Sequence, residues 1–262
     1  MSGTLEGKVA VVTGASKGIG RAIAGRLADE GADCVLAARS AVDLEMAASE
    51  IRAHSGRRVA VVPVDLRTAE GCAALHDAAT SAFDRVDVLV NCAGATKPGG
   101  LLDVDDDTWE DGFALKFFGT VRVCRLFWPD LAASHGTVVN VVGGLARTPA
   151  PDILVGGAVN AALANFTKAL AGQGLRDDVN VNAVHPGQTM TERFEMLLTK
   201  RAEAAGVTRD EFLDQTTQRQ GVRRLGRPED VAGLVAFLCT PEARHIQGVS
   251  VAVDGGGTSG LF

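Results

Sequence analysis

KVAVVTGASKGIG, from Lys8 to Gly20, is an apolar run, a glycine-rich turn and the opening of a helical pattern. Three valines and a threonine among the residues Val9 to Thr13 favour a pleated, buried strand, and RAIAGRLADEG continues from Arg21 with apolar residues at helical spacing. Between them Gly14, Gly18 and Gly20 let the chain turn tightly, approach a pyrophosphate closely and start a helix whose free N–H groups face it. Ser16, Lys17 and Ile19 complete the turn. A lone glycine triplet is weak evidence, since a purely structural turn has the same composition. Here a strand precedes it, a helix follows, and a second strand, CVLAA, ends about 20 residues further on, the spacing of a dinucleotide-binding unit.

That second strand ends in Ala37, Ala38 and Arg39, where a carboxylate would be needed to accept from ribose hydroxyls. Arg39 cannot accept from a hydroxyl but can pair with a 2′-phosphate, and Lys17 could supply a second cation, which favours NADP(H) over NAD(H). The alternative is that both are solvated surface cations.

Valine-rich runs recur along the chain: VAVVT, CVLAA, VAVVPV, VDVLVN, TVVNVV, VNVNAV and VSVAV, each separated from the next by segments of helical period. Parallel neighbours need crossover connections and are buried on both faces, so the pattern predicts an α/β, doubly wound parallel sheet with helices on both sides. Ligands of such sheets bind beyond the carboxyl ends of the strands. No linker or repeat interrupts the rhythm, so one domain spans 1–262. Its one departure, Thr191 to Leu225, is polar and predicts two short amphipathic helices, in MTERFEMLLTKRAEAAG and TRDEFLDQTTQR. This 191–225 segment is read as a substrate lid or as a plain surface insertion.

Composition narrows the partners. With 46% hydrophobic and 22% charged residues the chain has the make-up of a globular protein, and a formal charge of −6 disfavours nucleic acid or an anionic membrane as partner. A small-molecule substrate is expected. Five cysteines without a Cys-x-x-Cys pair argue against a disulfide framework and against a structural metal site. No apolar run reaches the ~20 residues that span a bilayer, and Met1 to Gly7 carries no signal-peptide core, so a cytoplasmic location is expected.

Further motifs carry a resemblance. Asp65-Leu66 follows the third valine run, Asn91-Cys92-Ala93-Gly94 the fourth and His185-Pro186-Gly187 the sixth, while RLGRPEDVA (Arg224 to Ala232) and VDGG (Val253 to Gly256) lie near the end. Together with the glycine turn they make the chain resemble the short-chain dehydrogenase/reductases over nearly its whole length. The resemblance implies a Rossmann fold with seven strands in the order 3-2-1-4-5-6-7. It places Asp65 and Leu66 beside the adenine, Asn91, Ala93 and Gly94 along the cofactor, and Pro186, Gly187 and Thr191 near the nicotinamide. It also implies a homotetramer, often formed through the helices that carry Lys116 and Asn160. Cys92 and His185 are read as a packing thiol and an ordinary loop histidine.

The same resemblance locates four catalytic positions, and all four differ. The family uses a serine after the fifth strand, a Tyr-x-x-x-Lys pair on the following helix and an asparagine on the helix after the fourth strand. GTVVNVVGG (Gly136 to Gly144) puts Gly143 at the serine, and GGAVNAAL (Gly156 to Leu163) puts Gly156 at the tyrosine and Asn160 at the lysine. The thirteen positions between Gly143 and Gly156 support that alignment, and the chain contains no tyrosine in any register. In the helix from Trp109 to Gly119, Lys116 stands where the asparagine belongs. Lysine and asparagine have exchanged places.

Lys116 falls on the apolar stripe Trp109, Phe113, Thr120, Cys124 and Phe127, so it is expected to point inward. One reading gives it an ammonium beside the nicotinamide ribose or the substrate oxygen, with Asn160 supplying the amide; the other lets it snorkel outward at a subunit interface. The two glycines are expected to enlarge the pocket over the nicotinamide. Three functions remain open. They are an NADP(H)-dependent oxidoreductase acting on a small carbonyl or activated double bond without the tyrosine donor, a non-catalytic NADP(H)-binding sensor or partner subunit, and a non-redox lyase or isomerase.

Overall fold

The computed structural model describes residues 3–258; Met1, Ser2 and residues 259–262 of the domain expected over 1–262 lie outside the described residues. Seven strands form where the valine runs predict them: β1 (Val9–Thr13), β2 (Asp33–Ala38), β3 (Val59–Pro63), β4 (Val88–Asn91), β5 (Thr137–Val141), β6 (Asn180–Pro186) and β7 (Ser250–Val253). All pair in parallel, in the order β3-β2-β1-β4-β5-β6-β7. Winding reverses between β1 and β4, and that reversal opens a crevice at their carboxyl ends. Thr13 lies level with Ala37 on one side and Asn91 on the other, so the glycine turn, Arg39 and Cys92-Ala93-Gly94 all leave the sheet at one edge.

Both faces are covered, which is why the strands are valine-rich throughout rather than alternating. On one side Ile23 and Leu27 of α1 (Gly18–Asp29), Leu44 and Ile51 of α2 (Ala41–Ser55) and Val231 and Val235 of α9 (Pro228–Leu238) pack on the sheet. On the other lie Leu75 of α3 (Ala69–Ala82), Val123, Phe127 and Leu131 of α5 (Thr120–Ser134) and Ala171 of α6 (Leu154–Asp177). Each fully buried large side chain contributes about 1.5–3 kcal/mol, enough collectively to hold the layers.

Side-chain caps start most helices. Ser40, Thr68, Asp105, Thr191 and Thr208 each accept from a first-turn N–H. Helix α1 differs: Lys17 precedes it and makes no such bond, so no side chain competes for the N–H groups that face the crevice.

Two departures from the sequence reading bear on the site. The helix expected from Trp109 to Gly119 is broken into α4 (Asp106–Phe113) and a π-helical turn, Ala114–Gly119, that runs on into α5. Such turns are wider than α-helical ones and concentrate at functional sites. Lys116 lies within this one. Strand β6 runs two residues beyond its valine pattern, so His185 is a strand residue, 1% exposed, and not the loop histidine expected. Within 191–225 the two amphipathic helices form as α7 (Glu192–Ala205) and α8 (Arg209–Gln220).

Candidate cofactor and active-site cleft

The crevice has two adjoining halves that share Gly14, Ser16, Lys17, Ala93 and Gly94. One, of about 320 Å³, is lined by Ala38, Arg39, Ser40, Val64, Leu66 and Leu115. The other, of about 510 Å³, is lined by Lys116, Val142, Gly143, Pro186, Thr191 and Met196, with Gly18, Ile19 and Gly20 at the junction. At that junction the backbone is too tight for side chains. A Cβ on Gly14, whose φ is +68°, would lie 2.9 Å from Ala93 Cα, and one on Gly20 would lie 2.2 Å from the Gly14 carbonyl oxygen. Close approach and uncapped helix N–H groups suit a bound pyrophosphate.

Thr13, which the sequence reading passed over, holds this junction together. Its Oγ1 accepts from the N–H groups of Cys92 (3.0 Å) and Ala93 (3.1 Å) and donates to the Val90 carbonyl (3.4 Å). The residue is 1% exposed. A hydroxyl ending a strand just before a glycine turn is the signal that marks it. Thr13→Val keeps the shape and strands two N–H donors, so a loss of about 1–3 kcal/mol in urea unfolding is expected, together with weaker NADPH binding by fluorescence titration.

In the smaller half Arg39 is exposed, while Lys17 pairs with Asp43 at 3.0 Å. Leu66 lines the cleft but Asp65 does not: Arg67 binds its carboxylate from 2.6 Å and holds it below the usual carboxylate range. Asn91 is also corrected. It is 3% exposed, and its amide donates to Asn140 Oδ1 (2.9 Å) and to Cys124 Sγ (3.3 Å), within the sheet rather than along the cleft. Gly187 packs against Asp254, whose Cβ would lie 2.7 Å from a Cβ there, and leaves Pro186 and Thr191 to face the larger half.

Lys116 crosses the floor of that half. Its stem lies over Gly94, where a Cβ would come within 2.8 Å of the lysine Cδ, and its Nζ donates to the Val142 carbonyl. Among the described residues no carboxylate pairs with it. Burial pushes its pKa down to about 8, and neighbouring Cys92 opposes the shift only weakly, its own thiol being pushed up to about 12 by burial. An ammonium held by a neutral carbonyl alone is a transferable proton.

The two vacated positions are crowded at Cβ. A Cβ on Gly143, at φ +122°, would lie 2.9 Å from Asn160 Nδ2; one on Gly156 would lie 2.9 Å from both Ile153 Cγ2 and Thr96 Oγ1. Neighbouring side chains crowd the Cβ position of each glycine, while Gly143 itself still lines the larger half. Asn160 itself is 6% exposed and packs behind Gly143 rather than lining the larger half. Among the described residues no cluster of His, Cys, Asp and Glu could hold a metal ion, and no helix is long and apolar enough to cross a membrane. The five cysteines are all free.

Residues 14–258 match the family described as enoyl-(acyl carrier protein) reductase. An uncharacterised oxidoreductase of Mycobacterium tuberculosis is 35% identical, covering 96% of this chain and 92% of its own length. The chain belongs to the short-chain dehydrogenase/reductase family. The short-chain reductase NovJ of Streptomyces niveus is 34% identical over 95% of this chain and 93% of its own length. Among solved structures the L-sorbose reductase of Gluconobacter frateurii, complexed with NADPH and L-sorbose, superposes with a TM-score of 0.96 at 32% identity, each chain being covered in full. Membership places the chain in a family of oxidoreductases, with a structural neighbour that holds NADPH.

Proposed function

We propose that this chain is an NADP(H)-dependent oxidoreductase acting on a small organic carbonyl or activated double bond, with Lys116 in place of the tyrosine acid. The observation that carries the proposal is the Lys116 ammonium, facing the larger half of the cleft with a neutral carbonyl as its partner and a pKa lowered to about 8. An acid that titrates near working pH is the most effective proton donor. Reduced nicotinamide, when bound, would supply the hydride. As hydride adds to carbon and the C=O or conjugated C=C π bond breaks, negative charge collects on oxygen; Lys116 donates a hydrogen bond and then its proton there, and solvent restores the ammonium. Glycines at 143 and 156 leave no other proton donor at those positions. Thr191, Glu192, Arg193 and Met196 line the same half from the start of α7, which supports reading 191–225 as a lid over substrate.

Preference for the phosphorylated cofactor is read from Arg39, exposed at the adenine half with Lys17 nearby. It also agrees with the NADPH named for the sorbose reductase and the NADP named for a Burkholderia cenocepacia relative of known structure. Arg39→Ala removes a charge-assisted contact of about 1.5–3 kcal/mol, so NADPH affinity should fall roughly 10–100-fold while NADH affinity is unchanged. Equal losses for both cofactors would take Arg39 away from the 2′-phosphate.

Single-turnover stopped flow tests the activity, with NADPH bound and enones, ketones and quinones offered in turn. Hydride transfer to any of them supports the proposal. Its absence across the panel favours the competing reading, NADP(H) binding without turnover, which draws on the crowding at Gly143 and Gly156. A homotetramer is proposed with either reading. The apolar groove between α5 and α6, lined by Val121, Trp128, Phe166 and Leu170, supplies a surface for it, to be read by light scattering.

A further inference from the structure

Two consecutive peptide groups beyond β5 are each held by a different element. The Val142 carbonyl accepts from Lys116 of the π-helical turn, and the Gly143 carbonyl, which also accepts from the Ala146 N–H at 3.3 Å, is 3.1 Å from Nδ1 of His185 on β6. A single α-carbon, that of Gly143, joins the two groups, at φ +122° and ψ 151°. Those angles lie in a region open essentially to glycine alone, where rotation is restrained by partners and not by a side chain.

A carbonyl oxygen only accepts, so Nδ1 carries the ring proton and Nε2 is bare. Nε2 is buried and has no hydrogen-bond partner among the described residues. Burial lowers the ring's pKa, the bond to the Gly143 carbonyl opposes that shift, and the neighbouring Arg147 and Lys116 cations add to it. An apolar side chain would fill this place without leaving a nitrogen unpaired. The histidine therefore gives up one unsatisfied nitrogen to fix one carbonyl, and the carbonyl it fixes is adjacent to the one that holds Lys116.

We infer that His185 is a positioning residue for Lys116: by clamping the Gly143 carbonyl it sets the orientation of the Val142 carbonyl, and so keeps the ammonium on the cleft floor. The inference rests on Lys116 being the proton donor, though the clamp itself can be tested without turnover. Asparagine at 185 can present an amide N–H where Nδ1 stands, glutamine reaches only toward Nε2, and leucine offers no donor.

The test compares H185N, H185Q and H185L by two readouts. The first is the titration of Lys116 followed by lysine side-chain NMR, where six lysines (Lys8, Lys17, Lys97, Lys116, Lys168 and Lys200) give a resolvable spectrum. The second is the rate of hydride transfer in single turnover. H185N should keep the Lys116 midpoint near its native value and stay within about threefold of the native rate. H185L and H185Q should move the midpoint by a pH unit or more and slow transfer roughly 10–100-fold, the scale of a misplaced reacting group, with NADPH affinity retained. An unchanged Lys116 midpoint in H185L and H185Q overturns the inference. Should H185L not fold, the contrast between H185N and H185Q decides it alone. If Lys116→Met leaves hydride transfer intact, the proposed function is wrong, and the NMR midpoints still decide whether His185 holds the lysine.

Discussion

Lys116→Met is expected to slow single-turnover hydride transfer by about 10²–10⁴-fold, the contribution of a positioned general acid, and to make the protein more stable at pH 7. The two effects have one cause. Burial lowers the Lys116 pKa from an ordinary value of 10.5 to about 8. Between those values the unfolded chain binds the proton more tightly than the folded one, so stability rises with pH across that window. Below about pH 8 the folded protein bears the full cost of the buried charge, of order 1–3 kcal/mol. Methionine matches the stem and removes the charge, so the variant should gain that amount at neutral pH and nothing by about pH 10.5.

Urea unfolding of both proteins at pH 7 and pH 10 measures the gap and its closure. Equal stabilities at pH 7 would mean that the lysine carries no buried charge, and the mechanism would lose its acid. Turnover has its own pH signature: loss of rate as pH rises through about 8, absent in the Met variant. A residue that weakens the fold where it stands and offers a proton to the cleft is the usual compromise between stability and activity.

The fold was legible because its signal is local. Each valine run from Val9–Thr13 to Ser250–Val253 became a strand, since a sheet buried on both faces asks only for continuous apolar, β-branched residues. Lys116 was legible in direction, from the stripe Trp109, Phe113, Cys124 and Phe127, but not in setting. A π-helical turn is defined by backbone bonds that hydrophobic spacing does not report. Other motif residues were misplaced by partners distant in sequence. Asn91 turned to Asn140, Asp65 to Arg67 and Gly187 to Asp254, and no motif announces which way such a side chain will face. His185 was passed over because its meaning lies in a bond to Gly143, a residue 42 positions away.

Restoring the family's residues is expected to damage the protein rather than repair it. In G143S the new Cβ would lie 2.9 Å from Asn160 Nδ2, at a φ of +122° that side chains rarely adopt. In G156Y it would lie 2.9 Å from Ile153 Cγ2 and Thr96 Oγ1 and 3.4 Å from Leu145 Cδ1, before any ring is placed. Backbone strain of about 1–3 kcal/mol and overpacking of about 1–3 kcal/mol give the double variant an expected loss of about 2–6 kcal/mol in urea unfolding, with no gain in turnover. Adding N160K puts a second cation into a site that is 6% exposed and should lower stability further. A double-mutant cycle isolates the contact: G143S should cost less in an Asn160→Ala background, because the amide that meets the new Cβ is gone. Wild-type stability together with a tenfold gain in ketone reduction for the triple variant would contradict all of this. The crowded glycine positions would then be vacancies in an ordinary active site, and Lys116 would be a bystander to it.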